Sequence, residues 1–200
     1  MGTTLIIVLV VAAVLLAILA FWAMGIYNRL TTLYERTKNG FAQIDVQLER
    51  RYDLIPNLVE TAKGYMAHEK ETLDAVTSAR ASATQARVHV AGDPTNGGAM
   101  QELGAAEGQL TQALGKLMMV SEAYPELKAN QNMMQLTEEL TSTENKVAFA
   151  RQAYNDSVNS YQTYKKTIPP VLIAGVAGFQ DAEYLEIEES VKREAPAVKF

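Results

Sequence analysis

A run of 22 residues without a charge, residues 5–26 (LIIVLVVAAVLLAILAFWAMGI), constrains this chain more than anything else in it. As a helix rising about 1.5 Å per residue it is roughly 33 Å long, enough to cross a hydrocarbon core of about 30 Å. A cleaved leader would carry Lys or Arg ahead of a shorter apolar run. Here the preceding residues, MGTT, hold neither, so the reading is a permanent anchor. Trp22 and Tyr27 fall where aromatic rings settle at a membrane interface. Arg29, Arg36 and Lys38 follow the span and no cation precedes it, which predicts that the body lies in the cytoplasm, N-terminus out and C-terminus in.

Beyond the span the pattern is helical. Leu48, Tyr52, Ile55, Val59, Ala62 and Met66 step by alternating four and three residues, and the steps continue through Glu69, Leu73, Val76 and Arg80 to Ala83. Such a seam requires partner helices. Asp-Pro and Asn-Gly-Gly within AGDPTNGG, residues 91–98, supply turn chemistry that ends this first helix. A second helix carries Leu103, Ala106, Leu110, Ala113, Leu117 and Val120 on one face, and Pro125 stops it by excluding Tyr124 from the helical region. A third carries Met133, Leu140, Val147, Tyr154 and Tyr161 and stops at Pro169-Pro170. EYLEIEE, residues 183–189, is the one strand candidate, and a stubby helix accounts for it equally well. The predicted fold is all-α: a transmembrane anchor (1–26), an elongated antiparallel bundle of three long helices (27–170), and an apolar docking segment with an acidic tail (171–200).

Five stretches occur in order after the span: RRYDLIPNLVE, AHEKETL, EAYPELKANQN, TENKVAFARQAYNDSV and IAGVAGF. Together they resemble the LemA family of bacterial membrane proteins, over roughly residues 27–179. The resemblance implies a single-pass protein of the bacterial inner membrane with an elongated helical-bundle domain. It brings no established enzymatic activity, and some members take part in building magnetosome membranes.

Composition narrows the chemistry. A net charge of −5 and a pI near 5.2 give no basic footprint for nucleic acid. With no cysteine, disulfides, zinc–thiolate sites and thiol nucleophiles are excluded. HEKET, residues 68–72, begins like the zinc motif His-Glu-x-x-His, but position 72 is threonine, not the second imidazole. Neither histidine is preceded at the i−3 position by the glutamate of a di-iron bundle, since Tyr65 and Ala86 stand there. No Gly-x-Ser-x-Gly is present, and GDPTNGG lacks the Gly-Lys-Ser/Thr end of a phosphate loop. The expectation is a protein without catalytic residues, metal or cofactor.

Three groups of residues are then candidates for function. In RRYDLIPNLVE, Pro56 lacks an amide hydrogen and its ring crowds the carbonyl of Tyr52, so it kinks or restarts the helix. Asp53 can cap the freed amides, and Arg50 can pair with Asp53. Arg50, Arg51, Asp53 and Pro56 are thus read as a hinge with a recognition face. Glu69 and Arg80 occupy seam positions, and the third helix offers Glu144 and Arg151. Either cross-helix ion pairs among these four fix register, or the drift of a straight helix against the heptad turns them to solvent. Val171, Leu172, Ile173, Val176 and Phe179 form an apolar stretch too short to span a membrane; docking on its own bundle, dipping into the membrane interface and filling a groove on a neighbouring subunit all stay open, and it is read as an assembly segment. The tail beyond reads as solvated, and truncation after Pro170 as leaving the helices folded. The functional expectation is a self-associating, membrane-anchored scaffold that organises or shapes membrane assemblies. Its partners are the lipid bilayer, further copies and other membrane proteins. The alternative is an adaptor for a membrane protease or signalling enzyme.

Overall fold

The structure, a computed structural model, describes residues 2–187. Among them are six helices and no strand: α1 (Gly2–Lys63), α2 (Lys70–Gly92), α3 (Gly97–Ser121), α4 (Pro125–Lys128), α5 (Gln131–Lys166) and α6 (Pro170–Ala177). α1 is a single helix of 62 residues. Its first part, residues 2–25, is buried nowhere, and from Ile26 onward it contributes Leu30, Leu33, Phe41, Ile44, Leu48, Ile55 and Leu58 to the core. The anchor and the central core helix are therefore one continuous backbone.

α1, α2, α3 and α5 make an up-and-down four-helix bundle in which α1 packs on α2 and α5, and α2 on α3. Local chemistry sets the reversals. Asn96 and Asn130 cap α3 and α5, their side-chain oxygens accepting from the Ala99 and Met133 amides at 3.1 Å. Asp93 accepts from the amide of Thr95 within the intervening turn, and Pro125 opens α4. Gly40 lets α1 and α5 approach closely, since a Cβ there would stand 3.3 Å from the Tyr154 Cα.

The bundle has four long helices where the sequence predicts three. The long first seam is cut at residues 64–69, where the chain reverses with Met66 fully buried at the distal end. Gly64 costs about 1 kcal/mol in a helix interior, and the four-three stepping continues across the break because both halves face the same core.

The tail corrects a second expectation. α3 and α5 barely touch each other along their length, and the chain after α6 fills part of that gap. Residues 180–187 form neither helix nor strand and run antiparallel to α5. Tyr161 donates to the Gln180 carbonyl at 2.6 Å, Tyr154 to that of Glu183 at 2.7 Å, and Asn155 accepts from the Leu185 amide at 3.0 Å. Ala182 and Leu185 belong to the core. The strap is seated on α3 at Gly104, where a Cβ would meet the Glu186 carbonyl oxygen at 2.2 Å. The bundle core thus reaches residue 185, and truncation after Pro170 removes part of it. Glu188 and Glu189 of the strand candidate, with the rest of the acidic tail, lie outside the described residues.

Gly104→Leu should therefore lift the strap and cost about 1–3 kcal/mol through overpacking, with faster cutting by a glutamate-specific protease after Glu183 and Glu186. Gly115→Ala, at a position where a Cβ meets nothing, is the control. Equal protease resistance in the two variants would mean that the strap does not depend on this seat.

Candidate functional site

Midway along the bundle a cation is buried among three helices. Arg51, on α1, is 3% exposed, and Glu107, on α3, is fully buried. Nη1 of Arg51 donates to Glu107 Oε2 at 2.7 Å, while Nη2 donates to Glu144 Oε1 of α5 at 2.7 Å and to Thr111 Oγ1 at 3.1 Å. The other oxygen of Glu107 accepts from the Tyr52 hydroxyl, which also reaches the Ala83 carbonyl of α2 at 3.3 Å. Burial first, and the Glu107 carboxylate second, push the Tyr52 phenol far above its usual range, so it remains a donor. One guanidinium thus ties α1 to α3 and α5, and its neighbour Tyr52 reaches α2. The arrangement holds no nucleophile beside a base.

This network replaces the predicted one. Among the described residues no ion pair joins Glu69, Arg80, Glu144 and Arg151 to one another. Glu69 instead accepts from the Tyr124 hydroxyl at 3.1 Å, and Arg80 Nε donates to the Tyr52 carbonyl at 2.7 Å. Glu144 pairs with Arg51, and Arg151 is half-buried beside the strap. Arg51, grouped by sequence with a recognition face, points into the core, while Arg50, Asp53 and Pro56 are exposed. α1 passes Pro56 without restarting and runs on to Lys63, and no Arg50–Asp53 pair forms. Pro56 stands on the solvent side, with Ile55 and Leu58 buried on the other, and the Tyr52 carbonyl that it cannot serve accepts from Arg80 Nε instead.

The apolar C-terminal segment is divided. Phe179 sits between Tyr27 and Tyr34 of α1, with ring centroids 5.5 and 6.1 Å away, and Ile173 is packed on the core. Val171, Leu172 and Val176 are exposed. Gly178, at φ 75°, ends α6 and turns the chain into the strap.

The family model "LemA family" matches residues 40–200. The chain belongs to the LemA family. It is similar to Magnetosome protein MamQ of Magnetospirillum gryphiswaldense, 26% identical over 176 residues that cover 79% of this chain and 64% of that protein. It is also similar to Magnetosome protein MamQ 2 of Paramagnetospirillum magneticum, 27% identical over 191 residues, covering 86% of this chain and 69% of that protein. The chain thus spans about two thirds of the length of these relatives. They accord with a membrane-associated protein, in which the described residues hold one helix long and apolar enough to cross a membrane, at the N-terminal end.

In the LemA chain's buried network Glu107 was missed in the sequence and Arg51 was given a surface role, although both carry a signal. Glu107 stands on the seam Leu103–Glu107–Leu110–Leu114–Leu117, and Arg51 on Ile44–Leu48–Arg51–Ile55–Leu58, each at heptad spacing. Opposite charges on two such seams mark partners. Arg51→Ala leaves Glu107 buried without its cation and should cost about 3–5 kcal/mol, read by denaturant titration in mild detergent. The combined Arg51→Met, Glu107→Leu variant should recover much of that loss. A single variant as stable as the parent would show that the network is energetically idle.

Proposed function

We propose that this LemA-family protein is a non-catalytic scaffold whose copies associate side by side at the membrane and organise or shape membrane assemblies. The observation that carries this reading is the unbroken α1. With no linker between anchor and bundle, the geometry with which bundles pack is passed directly to the bilayer. The similarity to magnetosome proteins supports a role in a membrane-bounded assembly. Self-association is assigned to the long side of the bundle, where Val46 and Phe149 stand exposed beside an open groove of about 740 Å³ between α1 and α5. The inner half of the predicted assembly segment is already occupied by the protein's own α1.

Extraction in mild detergent tests this. The scaffold gives a large, homogeneous particle, and Phe149→Glu reduces it to the mass of one chain with helicity unchanged. A parent protein already at single-chain mass, enlarging only when another protein is added, would favour the adaptor reading.

The body is assigned to the cytoplasmic side of the inner membrane from the cations Arg29, Arg36 and Lys38 after the span. Protease added to intact spheroplasts should spare it, and digestion there would reverse the orientation.

A further inference from the structure

Residues 168–180 contain no charged side chain, yet only one side of α6 is used by the bundle. Ala174 is buried and Phe179 wedges between Tyr27 and Tyr34. On the outer side Leu172 is 67% exposed, Ile168 85% and Val176 94%. Single exposed aliphatics are ordinary on a protein surface, but a contiguous apolar face marks something that covers it.

Its position says what covers it. α6 packs on α1 at Ala23, Met24 and Tyr27, the last turn of the apolar run, and leaves a shallow, apolar cleft of about 520 Å³ between the two helices. On α1 the exposed residues at this depth are Phe21, Trp22 and Met24, which face lipid if the helix spans. From Met24 the apolar surface passes across the cleft to Leu172 and Val176 with no charged side chain in its lining. Tyr27, in edge contact with Phe179, and Trp22 on the preceding turns of α1 are aromatics of the kind that settle at a membrane boundary. Arg29 stands three residues past the apolar run of α1 and Lys166 four residues before α6, cations where headgroups would be met if the helix spans.

We propose that α6 is a second membrane contact, its outer face lying in the acyl–headgroup boundary of the leaflet from which the bundle emerges. At 8 residues it is too short to span and suited to lie along the interface. Since its inner face is packed on α1 and α5, this contact fixes how the bundle is rotated about the α1 axis, which a single helix cannot do. The inference rests on α1 crossing the bilayer and holds for scaffold and adaptor alike. A second copy is disfavoured as the covering, because it would have to displace lipid already adjoining Met24.

The chain has no cysteine, so single labels are unambiguous. Leu172→Cys and Val176→Cys carry a nitroxide in full-length protein reconstituted into phosphatidylcholine–phosphatidylglycerol vesicles. Met24→Cys is the lipid reference and Val88→Cys, exposed on α2, the water reference. The expected result is collision with oxygen and exclusion of a water-soluble nickel chelate at 172 and 176, as at 24. Nickel access at both equal to that at 88 would overturn the proposal. So would protection from both reagents with spin–spin broadening relieved by unlabelled protein, which would show a second copy on this face.

Discussion

The membrane span and the axis of the bundle core are the same helix. Everything else in the molecule is arranged around that constraint. From Ile26 to Ala62 the buried residues of α1 recur at three- and four-residue steps, so α2 and α5 pack against its flanks and α3 closes the far side. A flexible linker at residues 27–40 would have left the bundle free to reorient. Instead that stretch is already in the core, through Leu30, Leu33 and the pair Tyr34–Tyr161. The aromatic contacts between α1 and α5, Tyr34 with Tyr161 and Phe41 with Tyr154, brace the first turns of α1 after the apolar run, where bending would do most to uncouple anchor from body.

The buried Arg51 network does a different job. Taking an arginine and a glutamate out of water costs several kcal/mol per ion, and a well-packed apolar replacement is often as stable. What the pair adds is discrimination. A bundle built from leucine and alanine seams tolerates sliding by a heptad, whereas any slip of α3 against α1 would leave Glu107 buried without Arg51. Tyr52 and Glu144 extend the same penalty to the other helices. The network therefore fixes the register in which the apolar seams engage. α3 and α5 barely touch each other, so the guanidinium, bonded to Glu107 on one and Glu144 on the other, links two helices that pack little directly.

The all-α fold and the anchor were legible because both rest on long periodic or uniform patterns. The turn at residues 91–98 and the stops at Pro125 and Pro169 follow from local turn chemistry that also reads directly, whereas the caps at Asn96 and Asn130 emerge only with the structure. The break at Gly64 did not, since heptad phase is blind to whether one helix continues or two meet end to end across a turn. Arg51 and Arg50 are adjacent in sequence and opposite in environment, and only the angular position of Arg51 on the seam separates them. The strap escaped notice for a further reason. Ala182 and Leu185 are single apolar residues in an acidic stretch, and what buries them is a gap between α3 and α5 that no periodicity in the strap itself reveals.

Anchor, bundle, strap and α6 make a rod whose relation to the membrane is set by covalent and packed geometry rather than by a hinge. The most direct measurement is a distance distribution between spin labels at Leu19→Cys, inside the span, and Glu60→Cys, near the distal end of α1, in lipid nanodiscs. An unbroken helix of 41 intervening steps predicts one narrow peak at about 60 Å, from about 1.5 Å per residue. A broad or multiply peaked distribution reaching much shorter distances would contradict the account, because it would show that anchor and bundle move independently.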